Sequence, residues 1–396
     1  YEAQRFNGFE GFFERNDAAA AVFIRQDGKQ WKKGDKLIQK DLAKTLKRIA
    51  KYGRDGFYTG PIADLIVAEM KRGNGLISLF DLKNYSSVYR DPVSGSYKGH
   101  QIISMGPPSS GGIHVVQILN MIEASGVLDK KSAWDEESIF LVAKFMDKAF
   151  KDRAEHLGDA DFHPVPIDRL ISKDYAQTLV NEVMAVASVE PRDEKYSLAY
   201  GEGHTTNFAI IDKWGNAVAI NHTVNLTYGA QVTVPGTGVA LNSEMDDFSA
   251  QPGVPNSFGL IGAEANAVAA GKRPLSSMSP TIVVKDGKPV MILGGAGGPR
   301  IITAVLHTIL GVLDFDLSVG KALSLPRFHH QYRPDALFVE THMPDDHKSA
   351  MTNRGYKVMD RGGLGTVRAI AWSEKHQTYV GAADPRSRNG VGAKAY

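Results

Sequence analysis

The stretch TIVVKDGKPVMIL, Thr281 to Leu293, constrains the fold more than any other. Two runs rich in β-branched and apolar residues flank an Asp-Gly pair, which reads as strand, tight turn, strand. Directly after it come GGAGGPR, Gly294 to Arg300, and a helix carrying Ile301, Ile302, Val305, Ile309 and Val312 on its apolar positions. The same design appears upstream, where Phe208 to Asp212 and Ala217 to Asn221 flank the turn residues KWGN. Strands become frequent from about Gly201 onward, and this change of character marks the boundary that the sequence favours.

The first half reads as mainly helical. Asp41 to Tyr52 sets Leu42, Leu46, Ile49 and Ala50 on one face, with Asp41 as an expected N-cap and Gly53 just past the end. Pro61 opens a second helix with Ile62, Leu65, Ile66 and Met70 inward, closed by Gly73. Gln101 to Met105 reads as a strand. GPPSSGGIHVVQILNMIEASG follows, a breaker cluster and then a helix burying Val115, Ile118, Leu119 and Ile122, and a further helix is predicted over Glu136 to Ala154.

At 396 residues the chain exceeds the usual single-domain size, so it divides or builds one large layered core. With 43% hydrophobic and 23% charged residues it is an ordinary globular composition. A net charge of +2 without a basic run argues against a nucleic-acid groove or a polybasic membrane patch, leaving a small molecule or peptide as the expected partner. The apolar run Ile301 to Leu313 contains His307 and falls short of the roughly 18 residues a membrane span requires. Cysteine is absent, which removes thiol catalysis, disulfides and cysteine-ligated metal, so any nucleophile is oxygen or nitrogen. No signal peptide opens the chain, and a start at Tyr1 reads as a mature or truncated product.

Within GEGHTTNFAIIDKWGNAVAINHTVN, Gly201 to Asn225, two adjacent threonines stand where a glycine-rich loop gives way to an apolar strand. A threonine hydroxyl is a poor nucleophile without a base beside it. Cleavage between His204 and Thr205 would supply one, because the new α-amino group has a reference pKa of about 7.7 to 8.0. Folding the hairpin about Trp214 and Gly215 brings Thr205 opposite Thr223 or Val224 and sets Thr223 and Asn225 as cross-strand neighbours. A β-branched pair opening a strand accounts for the same residues without chemistry.

Other clusters carry two readings each. GGAGGPR lacks the lysine and hydroxyl of a phosphate loop, whereas the backbone N–H groups of Gly297 and Gly298 at a helix start suit an oxyanion; a tight strand-to-helix turn is the alternative. NSEMDDF offers Glu244, Asp246 and Asp247, for an ammonium group, for a metal or as a solvated loop. KRPLSSMSP offers Ser276 and Ser277, small donors suited to a carboxylate or a plain turn. HLGDADFH, His156 to His163, matches no trusted ligand spacing and reads as a turn, and His329 and His330 read as structural.

In their order and spacing these motifs resemble the γ-glutamyltranspeptidase family of N-terminal nucleophile hydrolases, densest from GHTTNF to GGAGGPR. The resemblance implies a four-layer αββα sandwich and self-cleavage before Thr205. Residues 1–204 would then be the C-terminal part of a large subunit, and 205–396 a small catalytic subunit that stays associated with it. It implies Thr205 as nucleophile, Thr223 and Asn225 beside it, and Glu244 and Asp247 on the substrate amine. Ser276 and Ser277 would bind the substrate carboxylate, and Gly297 and Gly298 the oxyanion. The implied chemistry is transfer of a γ-glutamyl group, from glutathione or a similar compound, to water, an amino acid or a dipeptide. It involves no metal or organic cofactor and takes place in the periplasm or outside the cell. Two departures accompany it. The family carries a segment ahead of the position of Tyr1, with an arginine that clamps the substrate carboxylate. In addition, PGVPNSFGLIG resembles the family's lid loop but has Phe258 where many bacterial relatives have tyrosine, so a phenolic hydrogen bond closing the lid cannot form. A glutaryl or cephalosporin-type acylase of the same fold and a processed but inactive binding protein are the alternatives.

Overall fold

The computed structural model describes residues 2–190, 192, 203–387 and 392–394. The chain forms two compact units, one from Tyr1–Arg90 with Leu226–Ser243, the other from Asp91–Asn225 with Glu244–Tyr396. Compactness therefore divides the chain differently from the composition shift near residue 201, and both sides of the His204–Thr205 bond belong to the larger unit.

In the smaller unit the helix Pro61–Arg72 begins on its proline and ends at Gly73, and its Ile62, Ala63 and Ile66 form a core with Leu82 and Val234. The helix Lys40–Tyr52 departs from expectation. Its N-cap is Gln39, Asp41 lies within the first turn, and Leu46 is exposed, as is Leu65 on the next helix. The buried residue of Lys40–Tyr52 is instead Thr45, whose hydroxyl donates to the Thr237 carbonyl at 2.8 Å. A partner nearly two hundred positions away, which periodicity does not register, sets which face turns inward. Tyr228, from the same distant segment, packs its ring at 5.0 Å from Phe13 and 5.3 Å from Phe9.

The larger unit is built on a six-stranded sheet in the order Val93–Tyr97, His100–Ser104, Thr281–Lys285, Lys288–Ala296, Thr366–Ser373, Thr378–Ala383, each strand antiparallel to the next. Both expected hairpins are present: Thr281–Lys285 with Lys288–Ala296, and Gly203–Ile211 with Ala217–Leu226. The second hairpin turns about Asp212, whose carboxylate accepts from the N–H groups of Trp214 and Asn216.

Two consecutive glycines show how the layers stack. Side chains alternate across a strand, so neighbours look at opposite faces. A Cβ on Gly294 would meet Asn221 and Asn207 of the 203–226 hairpin, and one on Gly295 would meet Ile301 of the helix Arg300–Leu313. The hairpin thus covers one face of the sheet and helices cover the other. The helix Gly111–Ser125, buried throughout from Gly111 to Ile122, packs beside Arg300–Leu313, and Glu136–His156 and Lys173–Met184 pack outside it. Two β layers with helices against the larger sheet agree with the expected sandwich. On the outward face of the hairpin, Phe208, Ile210, Val218 and Ile220 are partly exposed.

Behind the sheet a buried ion network joins the sheet Val358–Arg361, Leu337–Glu340, Phe328–His329 to the segment that follows Ala383. Arg327 meets Asp384 at 2.7 Å, and Arg386 pairs with Asp384 and Glu340. Removing one member of such a pair strands a buried charge, which typically costs about 3–5 kcal/mol. Asp384→Ala should lower stability by about that much in denaturant titration, whereas Asp345→Ala, an exposed carboxylate, should change it by less than about 1 kcal/mol.

Candidate active site

Along Gly203–Ile211 burial alternates, with Asn207 buried and Thr206, Phe208 and Ile210 exposed. Thr205 therefore turns toward the large sheet and Thr206 turns away. Thr205 Oγ1 donates to Thr223 Oγ1 at 2.9 Å, which also accepts from the Asn225 backbone N–H at 2.9 Å. Asn225 is buried at φ +67°, a left-handed conformation that asparagine tolerates better than most residues. Thr205 is internal to the uncut chain, so its nitrogen is a peptide amide.

A cleft opens against this pair. It is lined by Thr205, Thr223, Asn225, Asp247, Phe258, Leu260, Ser276, Ser277, Met278, Gly298, Pro299 and Ile301. Seven of the nine candidate site residues, with Phe258, thus share one cleft. Glu244 and Gly297 do not line it. Gly297 is next to Gly298 in the strand-to-helix turn, at φ +136° and +62°. A Cβ on Gly298 would lie 2.7 Å from the Phe258 ring and one on Gly297 2.9 Å from the Gly365 Cα, so neither position accepts a side chain.

The carboxylates sit in the 3₁₀ turn Glu244–Asp247. Burial, then the neighbouring Glu244 charge, pushes the Asp247 carboxyl well above its ordinary value, and burial raises Glu244 as well. Asn266 ties this turn to the serine loop: its Nδ2 donates to the Asp247 carbonyl at 2.8 Å and its Oδ1 accepts from Leu275 N–H at 3.1 Å. The serine loop in turn is held by the 106–110 segment, with Ser110 N–H on the Ser276 carbonyl and Ser276 N–H on the Pro108 carbonyl.

Sequence reasoning missed Arg153. It is 4% exposed, donates through Nε to Ser110 Oγ at 3.1 Å, and through Nη2 to Ser277 Oγ and the Leu275 carbonyl, both at 3.3 Å. Burial lowers its pKa to about 10, against the opposing pull of Asp247. The signal was present: Val142, Met146, Phe150 and Arg153 fall on one buried stripe of the helix Glu136–His156, and a cation at a core position calls for a partner.

The histidine motifs lie apart from the cleft. In His156 to His163, Asp159 accepts from Asp161 N–H and Arg273 N–H, which makes a turn. His329 contacts Thr303 and Gln331 at 2.9 Å, and burial lowers its pKa to about 3. Asp147, His330 and Asp335 bring one potential metal-ligand atom each within 4.8 Å of one another, but the Arg192 guanidinium bridges both carboxylates, at 3.1 Å from Asp335. None of the three lines the cleft.

The model of the family described as Gamma-glutamyltranspeptidase matches residues 2–394. The chain belongs to that family. It is 44% identical over 375 residues to a glutathione hydrolase proenzyme of Escherichia coli, covering 94% of this chain and 64% of the relative. A glutathione hydrolase proenzyme of a Pseudomonas species is 39% identical, over 96% of this chain and 68% of its own length. An acylase ACY 1 proenzyme of another Pseudomonas strain is 34% identical, over 93% and 63%. The chain thus spans about two thirds of the length of these curated relatives. Cephalosporin acylase from Bacillus halodurans shares the fold, with a TM-score of 0.80 at 22% identity over 97% of this chain and 69% of that one.

The raised Asp247 carboxyl has a consequence for stability. The folded protein holds that proton more tightly than the unfolded chain. Its contribution is therefore most favourable near or below the ordinary value of 3.8, and is lost as pH rises through the raised folded value. Asp247→Asn removes a charge that the fold disfavours, so its melting temperature should exceed wild type at about pH 8 and converge with it near pH 4.

Proposed function

We propose that this chain is part of an autoprocessed γ-glutamyltransferase and glutathione hydrolase with Thr205 as nucleophile. The observation that carries the reading is the Thr205–Thr223 hydroxyl pair at the mouth of a cleft whose other walls are Asp247, Ser276, Ser277 and Gly298. The family membership and the name proenzyme borne by its relatives support it.

Processing comes first. Thr205 Oγ attacks the His204 carbonyl carbon, the peptide C–N bond breaks as the Thr205 nitrogen takes a proton, and water hydrolyses the resulting ester. This leaves a His204 carboxylate and a free Thr205 amine, in a large chain ending at 204 and a small one beginning at 205, which remain together. That amine then takes the Oγ proton as the hydroxyl attacks the γ-amide carbonyl of the substrate, and delivers it to the leaving amine. Thr223 orients the hydroxyl, the Gly297 and Gly298 N–H groups receive the oxyanion, and water or an amino-acid or dipeptide amine resolves the acyl-enzyme. Asp247 and Glu244 receive the α-ammonium group, with Asn225 beside them. Ser276 and Ser277 receive the α-carboxylate, and Arg153 holds Ser277 in place. A periplasmic or secreted location accompanies this reading, and among the described residues no helix is long and apolar enough to cross a membrane.

The acylase reading draws on the 34% identical acylase proenzyme. A glutaryl amide differs from a γ-glutamyl one chiefly by lacking the α-ammonium group, and a desolvated charge left without its partner typically costs about 2–5 kcal/mol. Protein with its full upstream segment should therefore split at His204–Thr205, Thr205→Ala should stay whole on a denaturing gel, and a mutant cut at the same bond would implicate a host protease. The processed enzyme should favour γ-glutamyl over glutaryl anilide by on the order of 10²-fold in kcat/KM, and Asp247→Asn should erase most of that preference while leaving processing intact. Equal rates for the two anilides would favour the acylase, and no turnover of either a binding protein.

A further inference from the structure

The middle carboxylate of the 244–247 turn does not line the cleft, and its contacts lie elsewhere. Asp246 Oδ1 accepts from the Ser257 hydroxyl at 2.9 Å and from the Ser257 N–H at 3.2 Å, and its Oδ2 accepts from that N–H at 3.3 Å and from Asn225 Nδ2 at 3.4 Å. Ser257 immediately precedes Phe258, in a loop whose Phe258 and Leu260 line the cleft.

The loop is a tight turn fastened at two points. Asn256 Oδ1 accepts from Phe258 and Leu260 N–H groups at 3.0 Å, and its own N–H donates to the Leu260 carbonyl at 2.9 Å, so the turn carries its own internal bonds. One fastening is Gln331 Nε2 on the Phe258 carbonyl at 3.0 Å. The other is Asp246 on Ser257. Between them the Phe258 ring, 2% exposed, lies against Gly298, and with Leu260 forms the apolar wall of the cleft. Ring packing alone is non-directional and does not fix where the wall stands; the hydrogen bonds at its two ends do, and bonds to a charged acceptor are the stronger kind.

We propose that Asp246 and Ser257 are positioning residues that hold this wall closed over the substrate, a directional restraint that the phenylalanine side chain cannot provide. Because Asn225 Nδ2 shares the Asp246 carboxylate, one set of contacts runs from Thr205 through Thr223, Asn225 and Asp246 to Ser257, and the wall is fixed relative to the nucleophile. The proposal rests on the γ-glutamyl reading for its substrate, but not for the latch itself.

Two measurements test it on the full-length processed protein. These 396 residues hold no cysteine, so Val254→Cys, an exposed loop position, gives them one thiol for a nitroxide label, with any cysteine outside them replaced by serine. The label should be restrained in the parent and in Ser257→Thr, and markedly more mobile in Asp246→Ala and in Ser257→Ala, the milder change. With γ-glutamyl anilide, Ser257→Ala and Asp246→Ala should each raise KM by about 10-fold with kcat within about 2-fold, the signature of lost substrate retention. The double variant should be no worse than Asp246→Ala alone, since both changes remove one contact. Unchanged label mobility in both single variants overturns the latch, as do additive effects in the double variant. A loosened label with unchanged KM overturns its role in holding substrate. A parent that shows a restrained label, released by Ser257→Ala, yet does not turn over the anilide supports the latch and faults the γ-glutamyl reading instead.

Discussion

The cleft depends on the register of one hairpin. Side chains alternate along a strand, so a slip of one residue in Gly203–Ile211 would turn Thr206 inward and carry Thr205 out to the exposed face. Two polar contacts resist that slip. Asn207 Oδ1 accepts from Arg368 at 2.9 Å, and Asn221 Nδ2 donates to the Gly295 carbonyl, each tying a hairpin strand to the sheet beneath. A glycine at 294 leaves room for them, since a Cβ there would lie 2.5 Å from Asn221 Oδ1. The hairpin is thus keyed to the sheet by two asparagine contacts that a one-residue slip would break, and this register sets Thr205 2.9 Å from Thr223.

Around this pair the protein concentrates charge that the fold does not favour. Glu244 and Asp247 are crowded into one turn with raised pKa values, and a buried Arg153 faces Asp247 without a direct bond to it among the contacts described. Such an arrangement is costly in an empty site and becomes favourable when a ligand supplies an ammonium and a carboxylate of its own. Scaffold residues with no chemistry hold the groups apart: Asn266 spaces the acidic turn from the serine loop, and the 106–110 segment holds the serine loop from the other side.

The sequence made the local structure legible wherever the signal was periodic or a turn was strong. Asp-Gly at 286–287 and the Asp212 turn announced both hairpins, and the 300–313 and 111–125 helices followed from apolar runs after glycine clusters. All nine candidate site residues fall in motifs that stand in a recognisable order, and seven of them line the cleft. What escaped notice depends on contacts between distant positions. Thr45 turns inward and Leu46 outward because of Thr237, and the segment Leu226–Ser243 joins the first ninety residues in one compact unit. Arg153 lies in no motif and bonds Ser277 124 positions away, and although Asp246 stands in NSEMDDF, its bond to Ser257, 11 positions on, is not written in that motif.

Covalent capture tests the central claim, that Thr205 is the nucleophile, most directly. Processed enzyme turning over a γ-glutamyl substrate would be quenched in acid and the small chain analysed by peptide mass spectrometry. A γ-glutamyl ester on the Thr205 hydroxyl of the peptide beginning Thr-Thr-Asn-Phe is the expected result. An adduct on Thr206, on Thr223 or on any other residue, or none at all during steady turnover, would contradict the account.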